Sequence, residues 1–150
     1  MKFKGFFIFS LFLLVLVTAL NFLAFKNFWY WRWRWFDQPM HFIGGLFAGL
    51  VAIQIFLFFF HRRWQEVNGG EIILASIIGA LVIGITWEFL EFTADKLYIA
   101  RVELKTLNML YTGWRGSLHD LIFDLIGALT SAILFLISFI WSRKKFKSKV

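Results

Sequence analysis

Residues 41–60 read HFIGGLFAGLVAIQIFLFFF, a run in which His41 is the only ionisable side chain. A helical crossing of the bilayer's hydrocarbon core takes about 20 predominantly apolar residues, so this stretch predicts a membrane-spanning helix. Three more stretches have the same character: 6–25, 72–94 (its apolar run from Ile72 to Phe92) and 118–141. The whole chain agrees with them. At 150 residues it is 60% hydrophobic and 21% aromatic, with a mean hydropathy of +0.72, too apolar for a soluble domain of this length. The expectation is an all-α, polytopic membrane protein: one membrane domain over 1–150, built as a four-transmembrane-helix bundle with antiparallel neighbours. The connections, Lys26 to Met40, His61 to Glu71 and Lys96 to Ser117, are too short to build a soluble core.

The first stretch invites comparison with a signal peptide, because Lys2 and Lys4 precede it and Val17 and Ala19 offer a small-residue cleavage site. The apolar run continues through Leu20, Phe22, Leu23 and Phe25, beyond the roughly 7–15 residues of a cleaved signal, and reads as a retained helix.

The net charge of +7 does not point to nucleic acid, since the basic residues are spread over the short connections and the tail from Arg143 to Lys149. Membrane lipids with anionic headgroups are the expected partner. Both termini are expected on the cytoplasmic side, because the tail tips the Lys and Arg balance that way. Cysteine is absent, which removes disulfides and thiolate metal ligands. The stretch from Phe28 to Phe36, with Trp29, Tyr30, Trp31, Trp33 and Trp35 interleaved by Arg32 and Arg34, reads as an interfacial aromatic belt. Its alternative is a stacking surface for a sugar or a base.

Against this apolar background, six of the nine carboxylates and two of the three histidines gather near helix ends: Asp37 and His41; Glu88, Glu91 and Asp95; His119, Asp120 and Asp124. An Asp near the centre of a membrane helix costs about 2.5–3.5 kcal/mol even on insertion scales, so the recurrence needs a cause. If the last three spans alternate in direction, all eight groups fall on one side of the membrane, whichever way the chain is oriented. Helical spacing then gathers each set onto a stripe. Asp37, His41, Gly44 and Ala48 form one, Glu88, Glu91 and Asp95 continue Ala80 and Gly84, and Asp120 and Asp124 lead to Gly127 and Ser131. Small residues below the charges allow close helix approach, so a polar pocket is expected where the three helices diverge.

Asp37 before Pro39, and Ser117 with Asp120, also fit helix capping. His41 and Asp124 lie too far inside their spans for that. Glu88 and Glu91 face the negative end of a helix dipole, and a metal ion, a histidine, Arg115 or protons must neutralise them.

Asp37, His41, Glu88, Glu91, His119, Asp120 and Asp124 are therefore candidate ligands for a divalent metal. Zinc, manganese or iron suit this donor set better than copper, and magnesium suits it if histidine is not a ligand. Glu88 and Asp124 are candidate catalytic groups, with metal-bound water as the nucleophile. Arg115, at the start of the last helix, reads as a lipid anchor beside Trp114 or, with those groups, as a candidate to hold a phosphate.

The strings Asp37-Gln38-Pro39-Met40-His41-Phe42, Trp87-Glu88-Phe89-Leu90-Glu91 and Asp120-Leu121-Ile122-Phe123-Asp124-Leu125-Ile126-Gly127 resemble small bacterial membrane proteins of the VanZ-like and YjdF-like type. The likeness runs from Phe36 to Ser131 and points to Asp37, His41, Glu88, Glu91, Asp120 and Asp124. His119 and Asp95 match that pattern less closely. The resemblance implies an envelope-associated protein, one member being linked to glycopeptide resistance, and implies no particular reaction.

Three functional readings follow from these residues: a metal-dependent hydrolase or transferase acting on a lipid or lipid-linked substrate, a proton- or ion-coupled transport element, and a non-catalytic binding or structural bundle.

Overall fold

A computed structural model of the protein describes residues 3–33, 35–60, 67–102 and 113–147. Of the basic residues used to orient the chain, Lys2, Arg34, Arg62, Arg63, Lys105 and Lys149 lie outside them. The described elements are all helical: α1 (Phe3–Lys26), α2 (Trp29–Arg32), α3 (Asp37–Phe60), α4 (Gly69–Val102) and α5 (Trp114–Lys147). Four of these, all but α2, are long and apolar enough to cross a membrane.

The long helices outrun the apolar stretches that announced them, and local hydrogen bonds explain where they start. At α4 the Asn68 side chain accepts from the Gly70 amide at 3.1 Å, and Glu71 reaches back to the Asn68 amide at 3.4 Å. This reciprocal pair satisfies amides that the first turn leaves free and starts the helix at Gly69, ahead of Ile72. At α5, Gly113 takes φ +90° and its carbonyl accepts from the Ser117 amide at 3.1 Å, so the helix begins at Trp114. Ser117 consequently sits within the first turn, and the capping role considered for Ser117 with Asp120 is not realised. With 34 residues each, α4 and α5 run for about 51 Å, well beyond a bilayer's hydrocarbon core.

The central element is α3, which packs on α1, α4 and α5, while α4 and α5 also pack on each other. Of its most apolar span 39% is buried, against 11% for α1, which rides on the outside of the bundle. Large apolar side chains cover the outer faces, among them Phe58, Ile78, Ile85 and Ile137, as lipid contact requires.

One end of the bundle has an apolar core of Ile53, Leu57, Val67, Ile72, Ala132, Phe135 and Phe139. Between that core and the opposite end the helices close on small residues. A Cβ on Gly49 would collide with the hydroxyls of Ser76 and Ser131, and one on Gly127 would fall on the Phe42 carbonyl and the Leu46 amide. Both serine hydroxyls reach the Ala128 carbonyl, at 2.8 and 2.7 Å, and lie 2.8 Å from each other. The contacts of Ser76 join α4 to α5, and such interhelical bonds contribute roughly 0.6 kcal/mol on average in membranes, so they set register more than they add stability.

Candidate functional site

The antiparallel order of α3, α4 and α5 brings the first turns of α3 and α5 beside the C-terminal part of α4, at the end of the bundle away from the apolar core. There His41, Glu88, Glu91, Asp95, Asp120 and Asp124 keep only 4 to 9% of their surface exposed, while Asp37 in the first turn of α3 is partly exposed. The i, i+4 steps through Ile72, Ser76, Ala80, Gly84 and Glu88 keep one face of α4 buried along its length, and Glu91 and Asp95 continue that face.

At the centre is His41. Its Nδ1 lies 3.3 Å from Asp124 Oδ2, and its Nε2 lies 3.7 Å from Asp37 Oδ1 and 3.9 Å from Glu88 Oε1. A carboxylate on Nδ1 favours a proton there and leaves Nε2 as the free lone-pair nitrogen. That nitrogen and Glu88 Oε1 are buried without a hydrogen-bond partner among the described residues. The carboxylate of Asp124 owes its position to Gly84: a Cβ there would lie 2.5 Å from Asp124 Oδ2 and 2.9 Å from Leu121 Cδ2.

Two triplets each bring one ligand atom per residue within 4.8 Å of one another: Asp37, His41 and Glu91, and His41, Glu88 and Asp120. They share the imidazole. Asp124 belongs to neither and lies on the Nδ1 side of the ring. Among the described residues no lysine or arginine pairs with Asp37, Glu88, Glu91, Asp120 or Asp124, so five carboxylates surround one imidazole.

The remaining candidates stand outside the cluster. His119 is exposed on α5 with its ring edge-on to Phe123 at 5.1 Å, and Asp95 is buried one turn beyond Glu91. Arg115 is exposed in the first turn of α5, its guanidinium 5.4 Å above the Trp114 ring.

Two supporting residues went unrecognised in the sequence. Trp87 donates its indole N–H to Glu91 Oε1 at 2.7 Å, an i, i+4 pair whose spacing was there to be read. Tyr30 in α2 donates its hydroxyl to Asn21 of α1, and burial, reinforced by Asp37 and Glu91, pushes that hydroxyl above its ordinary pKa range. Its membership needed the fold, because α2 is only four residues long. Around it the aromatic stretch stacks largely on itself, with Trp29 against Trp33 and Phe36, and Tyr30 against Phe25 and Phe36.

A family described as predicted membrane protein (DUF2238) matches residues 2–140. The chain belongs to the DUF2238 family. A relative from Thermotoga maritima, named only as an uncharacterized protein, is 35% identical over 108 residues, 72% of this chain and 50% of its own length. The chain thus spans about half the length of that relative. No solved structure matches the chain. The family description agrees with the four long apolar helices: this DUF2238 protein is a multi-pass membrane protein.

Proposed function

We propose that the cluster around His41 is a divalent-cation site, and that the protein is a metal-dependent hydrolase or transferase acting on a lipid or lipid-linked substrate of the bacterial envelope. The observation that carries this reading is the pair of buried, unpartnered atoms, His41 Nε2 and Glu88 Oε1, 3.9 Å apart with Asp37 Oδ1 3.7 Å from the same nitrogen. These separations are too long for hydrogen bonds. They suit donors sharing one ion at about 2.0–2.3 Å, for which neighbouring ligands stand roughly 3–4 Å apart.

Charge argues the same way. Leaving several carboxylates buried and ionised beside one imidazole costs several kcal/mol for each unpaired charge, and a dication offsets it. Ligands would come from His41, Glu88 and Asp120, with Asp37 and Glu91 completing a second triplet on the same imidazole. Asp124 would hold the imidazole as an orienting carboxylate. One imidazole among carboxylates suits zinc, manganese or iron. A bound ion would polarise a substrate oxygen and make water acidic enough to attack at neutral pH. Arg115, at the start of α5, would receive a phosphate.

The VanZ-like and YjdF-like resemblance, and a basic tail of the kind that favours the cytoplasmic side, support an outward-facing site in the cell membrane. Ion-coupled transport is the second reading. Below the cluster, a Cβ on Gly45 would lie on the Asp124 backbone and one on Gly127 would meet Phe42 and Leu46, and such closure favours a one-sided site.

Metal analysis of the detergent-purified chain tests the proposal. One divalent ion per chain is expected to survive dialysis and to be lost in His41→Ala and Glu88→Gln. A wild-type protein that retains no ion, and gains no thermal stability from zinc, manganese or magnesium, would overturn it.

A further inference from the structure

An open cleft of about 560 Å³ separates the C-terminal part of α4 from the first two turns of α5, lined by Glu88, Phe89, Phe92, Trp114, Leu118 and Leu121 together with Ser117. All of these residues belong to the stretches that cross the membrane. Phe89, Trp114 and Leu118 are exposed, so the mouth of the cleft opens sideways, where acyl chains pack. Two of the lining residues carry polar atoms, Glu88 Oε1 and Ser117 Oγ, that are buried and without a partner among the described residues. An unpartnered buried polar atom costs about 1–3 kcal/mol, and here two residues of one lining each carry one.

The rim carries the opposite charge. Lys96 Nζ sits 5.6 Å from the centre of the Phe92 ring on α4, and the Arg115 guanidinium sits 5.4 Å from the Trp114 ring on α5. Both aromatic rings line the cleft, so a cation flanks its mouth on each helix.

We propose that this cleft is the lateral opening through which an anionic phospholipid with a hydroxyl-bearing head reaches the cluster. The inference rests on the cluster being the reactive site, and it names the substrate class. An acyl chain would lie along Phe89, Leu118 and Leu121, and the phosphodiester would lie at the rim between Lys96 and Arg115. The head hydroxyl turns inward between Ser117 Oγ and Glu88 Oε1. A hydroxyl fits both atoms, donating to the carboxylate and accepting from the serine, whereas an ammonium, which could donate to both, would have to pass the cations of Lys96 and Arg115.

The test uses the full chain in nanodiscs of phosphatidylethanolamine that contain a trace of phosphatidylglycerol bearing a photoreactive acyl chain. Phosphatidylethanol with the same chain is the comparison: it has equal charge and no head hydroxyl. Phosphatidylglycerol is expected to label the peptides carrying Phe89, Phe92, Leu118 and Leu121 several-fold more than phosphatidylethanol. Ser117→Ala should bring that ratio to about one. Leu118→Trp should abolish cleft labelling by either lipid and leave labelling of the outer face of α1 unchanged. Equal labelling by the two lipids in wild type, or cleft labelling indifferent to Leu118→Trp, would overturn the inference. Metal analysis of the same samples separates the two proposals. Preferential labelling of an ion-free protein keeps the cleft and removes the cation site; an ion-loaded protein labelled indiscriminately does the reverse.

Discussion

His41 is held from both sides of its ring, and the two sides do different work. Asp124 on Nδ1 fixes the tautomer, and Asp37 and Glu88 wait at Nε2 across gaps that no hydrogen bond spans. Gly84 governs this arrangement without touching the imidazole, because a methyl group there meets the free end of the Asp124 side chain. Gly84→Ala should therefore swing Asp124 Oδ2 away from Nδ1 and leave the helix backbones in place. The expected outcome is a 10–100-fold loss in ion affinity, the range seen when an orienting partner is removed, with a nearly unchanged melting temperature. Calorimetric titration with zinc, beside a thermal scan, checks it. An affinity equal to wild type would show that Asp124 has no hold on the site. Much at this scale was legible in the sequence: i, i+4 spacing alone paired Asp37 with His41 and Asp120 with Asp124. The ring partner of His41 was not legible, since 83 residues separate it from Asp124 and spacing within a helix says nothing about which helix lies opposite.

Between elements, the contact that sets the site's dimensions is the approach of α3 to α5. Both Gly44 and Gly45 are small, and the sequence pattern ran the stripe through Gly44 because it lies one turn from His41. The structure separates the two. A Cβ on Gly44 would sit 3.9 Å from Asp124 Oδ1, in ordinary contact, whereas one on Gly45 would lie 2.5 Å from the Asp124 Cα and closer still to its carbonyl oxygen. Adjacent helical positions differ by about 100° around the axis, and which of them faces the neighbour depends on packing that a single helix does not encode. Gly45→Ala should force the two backbones apart at a cost of about 1–3 kcal/mol or more, and lower the melting temperature by several degrees. Gly44→Ala should melt near wild type. Equal melting of the two variants would mean that the helices do not close where the structure has them close. Helix ends were the other illegible feature, because α4 and α5 start at the Asn68 and Glu71 pair and at Gly113, signals that lie outside the apolar runs.

Across the whole molecule the bundle is polarised between two ends of different physics. The end built on Ile53, Leu57, Ile72, Phe135 and Phe139 is held by dispersion contacts that need nothing further. At the other end five carboxylates face one imidazole, and their mutual repulsion opposes the helix packing that brings them together. A cation bound there stabilises the folded state by mass action, about 2.7 kcal/mol when it is present at a hundred times its dissociation constant. That gain would be local in origin, because an ion held by the cluster would bridge only the first turns of α3 and α5 and the C-terminal part of α4. Stripping the ion with a chelator should therefore raise amide hydrogen exchange around Gly45, Gly84 and Leu125, where fluctuations at the charged end are released. Exchange around Ile53, Ile72 and Phe135 should stay slow, and refilling with zinc or manganese should restore protection at the charged end. Uniform loss of protection along all three helices would mean that the two ends are coupled through the serine and glycine contacts between them. No change anywhere would leave the carboxylates neutralised by protons, and with them the case for a metal-dependent reaction would fail.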